Sequence, residues 1–227
     1  MLAIGIWSLL CILWATILYP FYPSSKATVF WTQRLWAPGA LFFFNAKTRV
    51  HGVEQIDPES SYIIMANHSS FLDIPAIGYR IPLWQFFIAK KELKRIPFLG
   101  QFMYIAGVIF IDRSNHTKSR ESIAKAALLI AKGKNVVIFP EGTASRDGNI
   151  GKFKKGGFHL AKQSKAPVLP VRVTGTRQIW PRGKILRGKG GKVYLIIGKP
   201  ITYKEYRDWE INEFSNKVRE TLIELGK

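Results

Sequence analysis

The stretch from Asn67 to Asp73, with the sequence NHSSFLD, combines a histidine with a carboxylate five positions later. A neutral imidazole can remove a proton from an alcohol near neutral pH. A carboxylate on the other ring nitrogen fixes the tautomer and stabilises the imidazolium that forms. The stretch follows an apolar run, and it therefore indicates the His–Asp half of a Ser-His-Asp triad without an obvious nucleophile. Spacing alone leaves an ordinary structural His–Asp pair open as the alternative.

A second polar site follows another apolar run. The sequence FPEGT, from Phe139 to Thr143, closes the run Asn135–Ile138. Ligand sites in α/β sheets lie at the carboxyl ends of the strands. We therefore expect the two polar stretches to share one crevice at that edge of a sheet.

Four short blocks, in order along the chain, resemble the glycerolipid acyltransferases typified by 1-acylglycerol-3-phosphate acyltransferase. The resemblance covers roughly residues 50–200. The blocks are the Asn-His-x4-Asp block from Asn67 to Asp73, Phe110-Ile111-Asp112-Arg113, Phe139 to Thr143, and Val168-Leu169-Pro170-Val171. The resemblance implies a fold like that of glycerol-3-phosphate acyltransferase and an acyl transfer in which His68 is the base and Asp73 orients it.

Cations near these blocks are candidates for binding a phosphorylated acceptor. Guanidinium binds phosphate in a bidentate manner, which favours Arg113 and Arg146, and Lys90 adds a point charge. The resemblance also associates Lys90 and Arg113 with glycerophosphate, although Ala144 stands where the family commonly has arginine. Glu141 either orients the acceptor and neighbouring arginines or pairs with a backbone loop. The predicted substrate-binding set is Asn67, Lys90, Arg113, Glu141, Gly142, Thr143, Arg146, Lys154 and Lys155.

Acyl transfer from a thioester needs no nucleophile from the enzyme, because the carbonyl carbon is already activated. The sequence has no G-x-S-x-G elbow, and its one cysteine, Cys11, lies in the apolar N-terminus. Covalent catalysis by Ser69 or Ser70 is the alternative, and it requires unusual geometry beside His68. The four histidines show no metal-ligand spacing, so we predict neither a metal site nor a cofactor besides the acyl-CoA or acyl carrier protein co-substrate.

The N-terminus is apolar, whereas the rest of the chain is basic. The formal charge is +19, with 34 Lys and Arg against 15 Asp and Glu, and residues 2–22 are nearly all apolar. Such a chain suits an anionic bilayer, and we expect residues 1–46 to form a membrane-anchoring helical segment. Residues 35–44 are interpreted as an interfacial or re-entrant segment. A signal peptide is the alternative for the first segment. Flanking cations favour a catalytic domain on the cytosolic side, and the single cysteine fits a reducing compartment.

Apolar runs alternate with helix-like segments after residue 46, which is the pattern of an α/β sheet. We predict a mixed sheet flanked by helices in an acyltransferase domain over residues 47–227, with the core motifs at about 62–175. The predicted strands are 48–53, 62–66, 85–89, 107–111, 136–139, 168–174 and 193–197, and the predicted helices are 71–79, 118–132, 155–163 and 203–225. Gly133 is expected to end the second helix in a left-handed conformation.

The predicted function is acylation of the sn-2 hydroxyl of 1-acyl-glycerol-3-phosphate, giving phosphatidic acid for phospholipid biosynthesis. Ala144 motivates one alternative, which is an acyltransferase for another lysolipid acceptor. A non-enzymatic basic protein that binds membrane or nucleic acid is the alternative from a different class. It explains the charge but not the ordered polar blocks, so the expected partners are a bilayer, a lysophospholipid and an acyl donor, and not nucleic acid.

Overall fold

A mixed seven-stranded sheet organises the protein. The computed structural model describes residues 2–18, 31–112, 116–183 and 190–227. The strands are β1 (Ala46–His51), β2 (Ile63–Ala66), β3 (Gln85–Lys90), β4 (Ile109–Ile111), β5 (Asn135–Ile138), β6 (Val168–Thr174) and β7 (Gly191–Ile197). Their order is β1-β7-β6-β2-β5-β3-β4, and only β6 and β7 pair antiparallel. The predicted mixed sheet and its seven strands are confirmed.

Helices cover both faces of the sheet. Strands β2 and β5 are buried throughout and consist almost entirely of aliphatic residues, as expected for parallel strands between two helical layers. The helices are α1 (Leu2–Leu18), α2 (Ala37–Phe43), α3 (Asp73–Arg80), α4 (Leu99–Ile105), α5 (His116–Ala131), α6 (Gly156–Ser164), α7 (Thr176–Ile179), α8 (Tyr203–Tyr206) and α9 (Ile211–Glu224). One apolar core contains residues of α2 and α3, and the core on the other face contains residues of α5, α6 and α9.

The N-terminal helices pack against the first of these cores. A helical segment, Trp31–Trp36, leads into α2, and Leu41 and Phe44 are buried with the sheet. The indole of Trp7 donates a hydrogen bond to the Trp36 carbonyl, at 3.3 Å. The outer side of α1 exposes Ile6, Leu9, Leu10, Leu13, Trp14 and Ile17. In the part of the chain that is described, no helix has both the length and the apolarity needed to cross a bilayer. The end of the apolar stretch, with the aromatic residues Tyr19, Phe21 and Tyr22, lies outside the described residues.

The observed helices differ from the predicted ones, and the differences have local causes. The predicted helix over residues 203–225 is divided into α8 and α9, because Glu210 has an extended backbone (ψ 151°). Tyr206 anchors α8, since its hydroxyl donates to the carbonyl of Ala166, at 2.7 Å, and lies 3.0 Å from that of Ala161. Helix α4 was not predicted, because its sequence LGQFMYI shows no clear helical period. Gly133 has φ +80° directly after α5, as predicted.

The turn between β6 and α7 requires glycine at position 175. Gly175 has φ +87°, and a Cβ atom there would overlap the carbonyl oxygen of Lys192. We expect Gly175→Ala to destabilise the fold by at least about 1–3 kcal/mol, which lowers the melting temperature by several degrees. Thermal unfolding followed by circular dichroism measures this. Gly156→Ala is the control, because a Cβ atom at position 156 would have no other atom within 4 Å. Equal melting temperatures for the two variants would contradict the requirement for glycine at position 175.

Candidate active site

The carboxylate of Asp73 is fully buried and accepts four hydrogen bonds. Oδ2 accepts from the backbone N–H groups of Ser69 and Ser70, at 2.7 and 2.9 Å, and from Nδ1 of His68, at 2.8 Å. Oδ1 accepts from the hydroxyl of Thr176, just beyond β6. These donors replace the water that the carboxylate loses on burial, so it can lie in the interior beside the histidine.

The arrangement around Asp73 fixes the tautomer of His68. With donors on both of its oxygens, the carboxylate acts only as an acceptor, so Nδ1 of His68 carries the proton. Nε2 then has a free lone pair, and among the described residues no group bonds to it. The ring stacks on Phe139, with centroids 4.1 Å apart, and its side chain is 17% exposed. The imidazole is thus held in one orientation with a basic nitrogen available to take a proton.

Glu141 ties the two predicted polar stretches together. Oε1 accepts the backbone N–H of His68, at 2.7 Å, and Oε2 accepts that of Gly151, at 3.2 Å. The N–H of Ser145 donates to the carbonyl of His68, at 2.7 Å. Burial raises the pKa of Glu141, and the two backbone hydrogen bonds oppose that rise. Both carboxylate oxygens are therefore used to hold the backbone, which is the second of the two roles considered for this residue.

Asn67 extends the sheet by one residue. Its side chain donates through Nδ2 to the carbonyl of Val173, at 2.9 Å, and accepts from the N–H of Val173 through Oδ1, at 2.7 Å. The side chain is buried and replaces a backbone pairing between β2 and β6. Asn67 therefore fixes the direction in which the chain enters the His68 loop.

The predicted cations are dispersed around this loop. Lys90 ends β3, which β5 separates from β2, and its exposed Nζ lies 3.6 Å from Glu92. Arg146 is exposed, and its carbonyl accepts from the guanidinium of Arg177, at 2.9 Å from Nη2. Arg113 lies outside the described residues. The structure does not bring Lys90 or Arg146 into contact with His68 in the part of the chain that it describes.

Two of the remaining predicted residues, Gly142 and Lys154, line a largely apolar cavity of about 300 Å³. Lys154 packs its stem over Gly142, and its N–H donates to the carbonyl of Pro140, at 2.8 Å. Thr143 and Lys155 are exposed and do not line this cavity. The lining residues include Ile88, Ile111, Ile123, Ile138, Phe139 and Leu160. Since Phe139 also stacks on the imidazole, the cavity begins beside the candidate base.

Several residues that build the site were not predicted from the sequence. The hydroxyl of Thr176 donates to Asp73. The position of Thr176 just after the predicted strand 168–174 could have indicated that it belongs to the site. Arg219 on α9 donates to the carbonyls of Ile150 and Gly151, at 2.8 and 3.0 Å, and so holds the loop that contacts Glu141. Arg182 donates to the carbonyl of Ala144, at 2.8 Å. These arginines follow no motif, and only the folded chain brings them to the loop.

A family model described as "Acyltransferase" matches residues 47–174, which contain the His68–Asp73 pair and the Glu141 loop. The chain belongs to this acyltransferase family. It is 36% identical over 182 residues to the 1-acyl-sn-glycerol-3-phosphate acyltransferase of Saccharomyces cerevisiae, a match that covers 79% of the chain and 59% of that relative.

Two further members of the acyltransferase family extend the comparison. The chloroplastic 1-acyl-sn-glycerol-3-phosphate acyltransferase BAT2 of Brassica napus is 35% identical over 192 residues, covering 83% of the chain and 54% of the relative. The chain thus spans little more than half the length of these two relatives. The crystal structure of the 1-acyl-sn-glycerophosphate (LPA) acyltransferase PlsC from Thermotoga maritima superposes with a TM-score of 0.69. It is 26% identical, and the match covers 98% of this chain and 96% of that one.

Variants of His68 and Asp73 are expected to lose turnover but to remain folded. We expect His68→Ala to lower kcat about 10²–10⁴-fold, which is typical for removal of a positioned base. Asp73→Asn should also lower kcat, because the amide disturbs the tautomer. Thiol release from the acyl donor measures turnover, and circular dichroism controls for folding. A folded His68→Ala protein with nearly full activity would show that His68 is not the base.

Loss of the Thr176 hydroxyl should lower kcat less than loss of His68, because Thr176 acts through Asp73. Thr176→Val keeps the shape of the side chain but removes the hydroxyl that donates to Oδ1. A hydrogen bond to a charged group contributes about 1.5–3 kcal/mol, so we expect kcat to fall about ten- to hundredfold with little change in the donor KM. Thr174→Val is the matched control on β6, outside the Asp73 hydrogen bonds. If the two valine variants have the same kcat, the hydrogen bond from Thr176 to Asp73 does not contribute to turnover.

Proposed function

We propose that this chain transfers an acyl group from a thioester, either acyl-CoA or acyl carrier protein, to the sn-2 hydroxyl of 1-acyl-glycerol-3-phosphate. The product is phosphatidic acid, a precursor of phospholipids. The observation that carries the proposal is the basic Nε2 of His68, oriented by the buried carboxylate of Asp73 beside an apolar cavity. The similarity to 1-acyl-sn-glycerol-3-phosphate acyltransferases supports the choice of acceptor.

The reaction needs one proton transfer and one acyl transfer. Nε2 of His68 removes the proton of the acceptor hydroxyl as its oxygen attacks the thioester carbonyl carbon. The new C–O ester bond forms, the C–S bond breaks, and the sulfur leaves with the proton from the imidazolium as a thiol. Asp73 stabilises the imidazolium between these two steps. No covalent acyl-enzyme is required, because the thioester is already activated.

The apolar cavity supports an acyl chain as the transferred group. Four isoleucines and a leucine line it, and Phe139, which also lines it, stacks on the imidazole. An acyl chain gains about 0.8 kcal/mol for each methylene removed from water. In this proposal, the acyl chain lies in the cavity and its carbonyl extends past Phe139 toward His68.

Cations around the Glu141 loop support an anionic acceptor. The guanidinium groups of Arg177 and Arg182 donate to the backbone carbonyls of Arg146 and Ala144 in this loop. Arg182 donates to the carbonyl of Ala144, and so brings a cation to the position where the family resemblance led us to expect arginine. Ala144 itself favours the second candidate function, which is acylation of another lysolipid.

The exposed apolar side of α1 supports a bound membrane, with the catalytic domain proposed on the cytosolic side. Five of its outward residues are aliphatic and about half exposed, which is costly in water and favourable in lipid. Aromatic rings connect this region to the site. The ring centroid of Phe71, in the His68 loop, lies 6.2 Å from that of Trp36 and 5.3 Å from that of Trp180. Lipid substrates therefore have a short path from the bilayer to His68.

Thiol release from both donors, across a panel of lysolipids, tests the proposal. We expect lysophosphatidic acid to be preferred over zwitterionic and uncharged acceptors. Arg113→Ala should raise the acceptor KM about ten- to hundredfold, because a charged hydrogen bond is lost, while the donor KM changes little. Arg120→Ala on α5 is the control, as it removes an exposed arginine. Equal use of all acceptors, with Arg113→Ala affecting them equally, would instead favour the broader lysolipid function.

A further inference from the structure

A basic and apolar turn protrudes beside the N-terminal helices. The residues from Lys94 to Phe98, with the sequence KRIPF, are all exposed and are called here the Lys94–Phe98 turn. Ile96 is 42% exposed and Phe98 is 65% exposed. Exposed apolar side chains that occur together, with polar residues around them, mark surfaces that contact a protein or a membrane. Neither the His68 site nor the apolar cavity uses this turn.

The backbone of Phe98 is strained. Its φ is +63° and its ψ is −48°, a combination that bulky residues rarely adopt. The N–H of Leu99 donates to the carbonyl of Pro97, at 2.7 Å, which closes a γ-turn with Phe98 at its centre. The fold thus accepts both backbone strain and exposure of an aromatic ring at one residue. Strain that the surrounding structure maintains is a reason to look for function at that residue.

The following residues hold the turn in this shape. The N–H of Gly100 donates to the carbonyl of Ile96, at 2.8 Å, and that of Phe102 donates to the carbonyl of Phe98, at 3.0 Å. Gly100 packs so closely on the Lys94 carbonyl that a Cβ atom would overlap it. The aromatic ring of Phe98 is therefore presented by a rigid element, which lowers the entropic cost of binding.

The turn lies on the same side of the molecule as α1. Helix α4 follows it directly and packs against the N-terminal helices, where the rings of Phe102 and Trp36 lie 5.4 Å apart. Tyr104 of α4 is 56% exposed, and Nζ of Lys94 lies 5.3 Å from its ring centroid. Cations, tyrosine and exposed aliphatic residues occur together at the boundary between lipid headgroups and acyl chains.

We propose that the Lys94–Phe98 turn is a second membrane contact, specific for a leaflet with anionic headgroups. Phe98 and Ile96 enter the headgroup–acyl boundary, while Lys94 and Arg95 pair with lipid phosphates. The site goes beyond acyl transfer and rests on the membrane placement proposed above. It fixes the rotation of the protein about α1 on the membrane, because two separate elements then contact the same leaflet. An acidic protein carries negative charge, as an anionic leaflet does, and the experiment distinguishes these two partners.

A fluorescent label on the full chain tests the contact. In a Cys11→Ala background, Phe98→Cys carries a single environment-sensitive dye, and Leu128→Cys is the matched control. Leu128 is 63% exposed on α5, which packs on the opposite face of the sheet. With vesicles of phosphatidylcholine and phosphatidylglycerol, we expect a blue shift and protection from iodide at position 98 and no change at position 128. Phosphatidylcholine vesicles should give a smaller shift.

The outcomes separate this proposal from the membrane placement of α1. Flotation of the protein with vesicles, while the dye at position 98 stays as accessible as at position 128, would refute the turn contact and leave the placement of α1 intact. Failure of the protein to float with either vesicle would refute both. Protection of the dye by acyl carrier protein, with no change on vesicles, would assign the turn to a protein partner instead.

Charge reversal tests the preference for anionic lipid. Lys94→Glu with Arg95→Glu should weaken binding to the phosphatidylglycerol vesicles about 20-fold or more, because each cation near an anionic surface contributes about fivefold. Binding to phosphatidylcholine, and thiol release with detergent-dispersed acceptor, should not change. Lys125→Glu with Lys132→Glu is the control, since it reverses two exposed charges at α5. Equal weakening by the two double variants would overturn the assignment to the turn.

Discussion

The buried carboxylate of Asp73 is the constraint on which the site depends. A charge with no exposed surface is stable only if donors replace its lost water, and here they come from Ser69, Ser70, His68 and Thr176. The first three lie on one loop, whereas Thr176 comes from beyond β6. The loop must therefore stay next to the end of β6. The Asn67–Val173 pairing and the tight turn at position 175 maintain that proximity.

A second buried acid, Glu141, controls the backbone rather than the imidazole ring. It holds the N–H of His68, while Asp73 holds the ring, so the two carboxylates fix different parts of one residue. Arg172 on β6 lies in the field of both. Burial lowers the pKa of its guanidinium, and Glu141 and Asp73 oppose that effect. Arg219 adds support from α9, which connects the C-terminal helix to the geometry of the site.

The sheet separates two apolar environments that the proposed reaction needs. The core on the side of α1 to α3 continues into helices with exposed apolar residues, where a bilayer is proposed. The cavity lies on the other side, between the sheet and helices α5 and α6. His68 lies at the edge between them, stacked on Phe139 and linked through Phe71 to Trp36. In the proposed reaction, an acceptor from the membrane and an acyl chain in the cavity meet at this imidazole.

The sequence by itself determined the strands and the mixed sheet, because local hydrophobic patterns are short-range signals. It also determined the His68–Asp73 contact and the meeting of the 67–73 and 139–143 stretches, because polar residues at strand ends share one edge of the sheet. It did not determine α4, the break between α8 and α9, or the use of both Glu141 oxygens on backbone N–H groups. Thr176, Arg182 and Arg219 lie 103, 38 and 69 positions along the chain from the residues that they hold. Only tertiary structure decides such contacts, since strand order and helix packing, not spacing in the chain, bring the partners together.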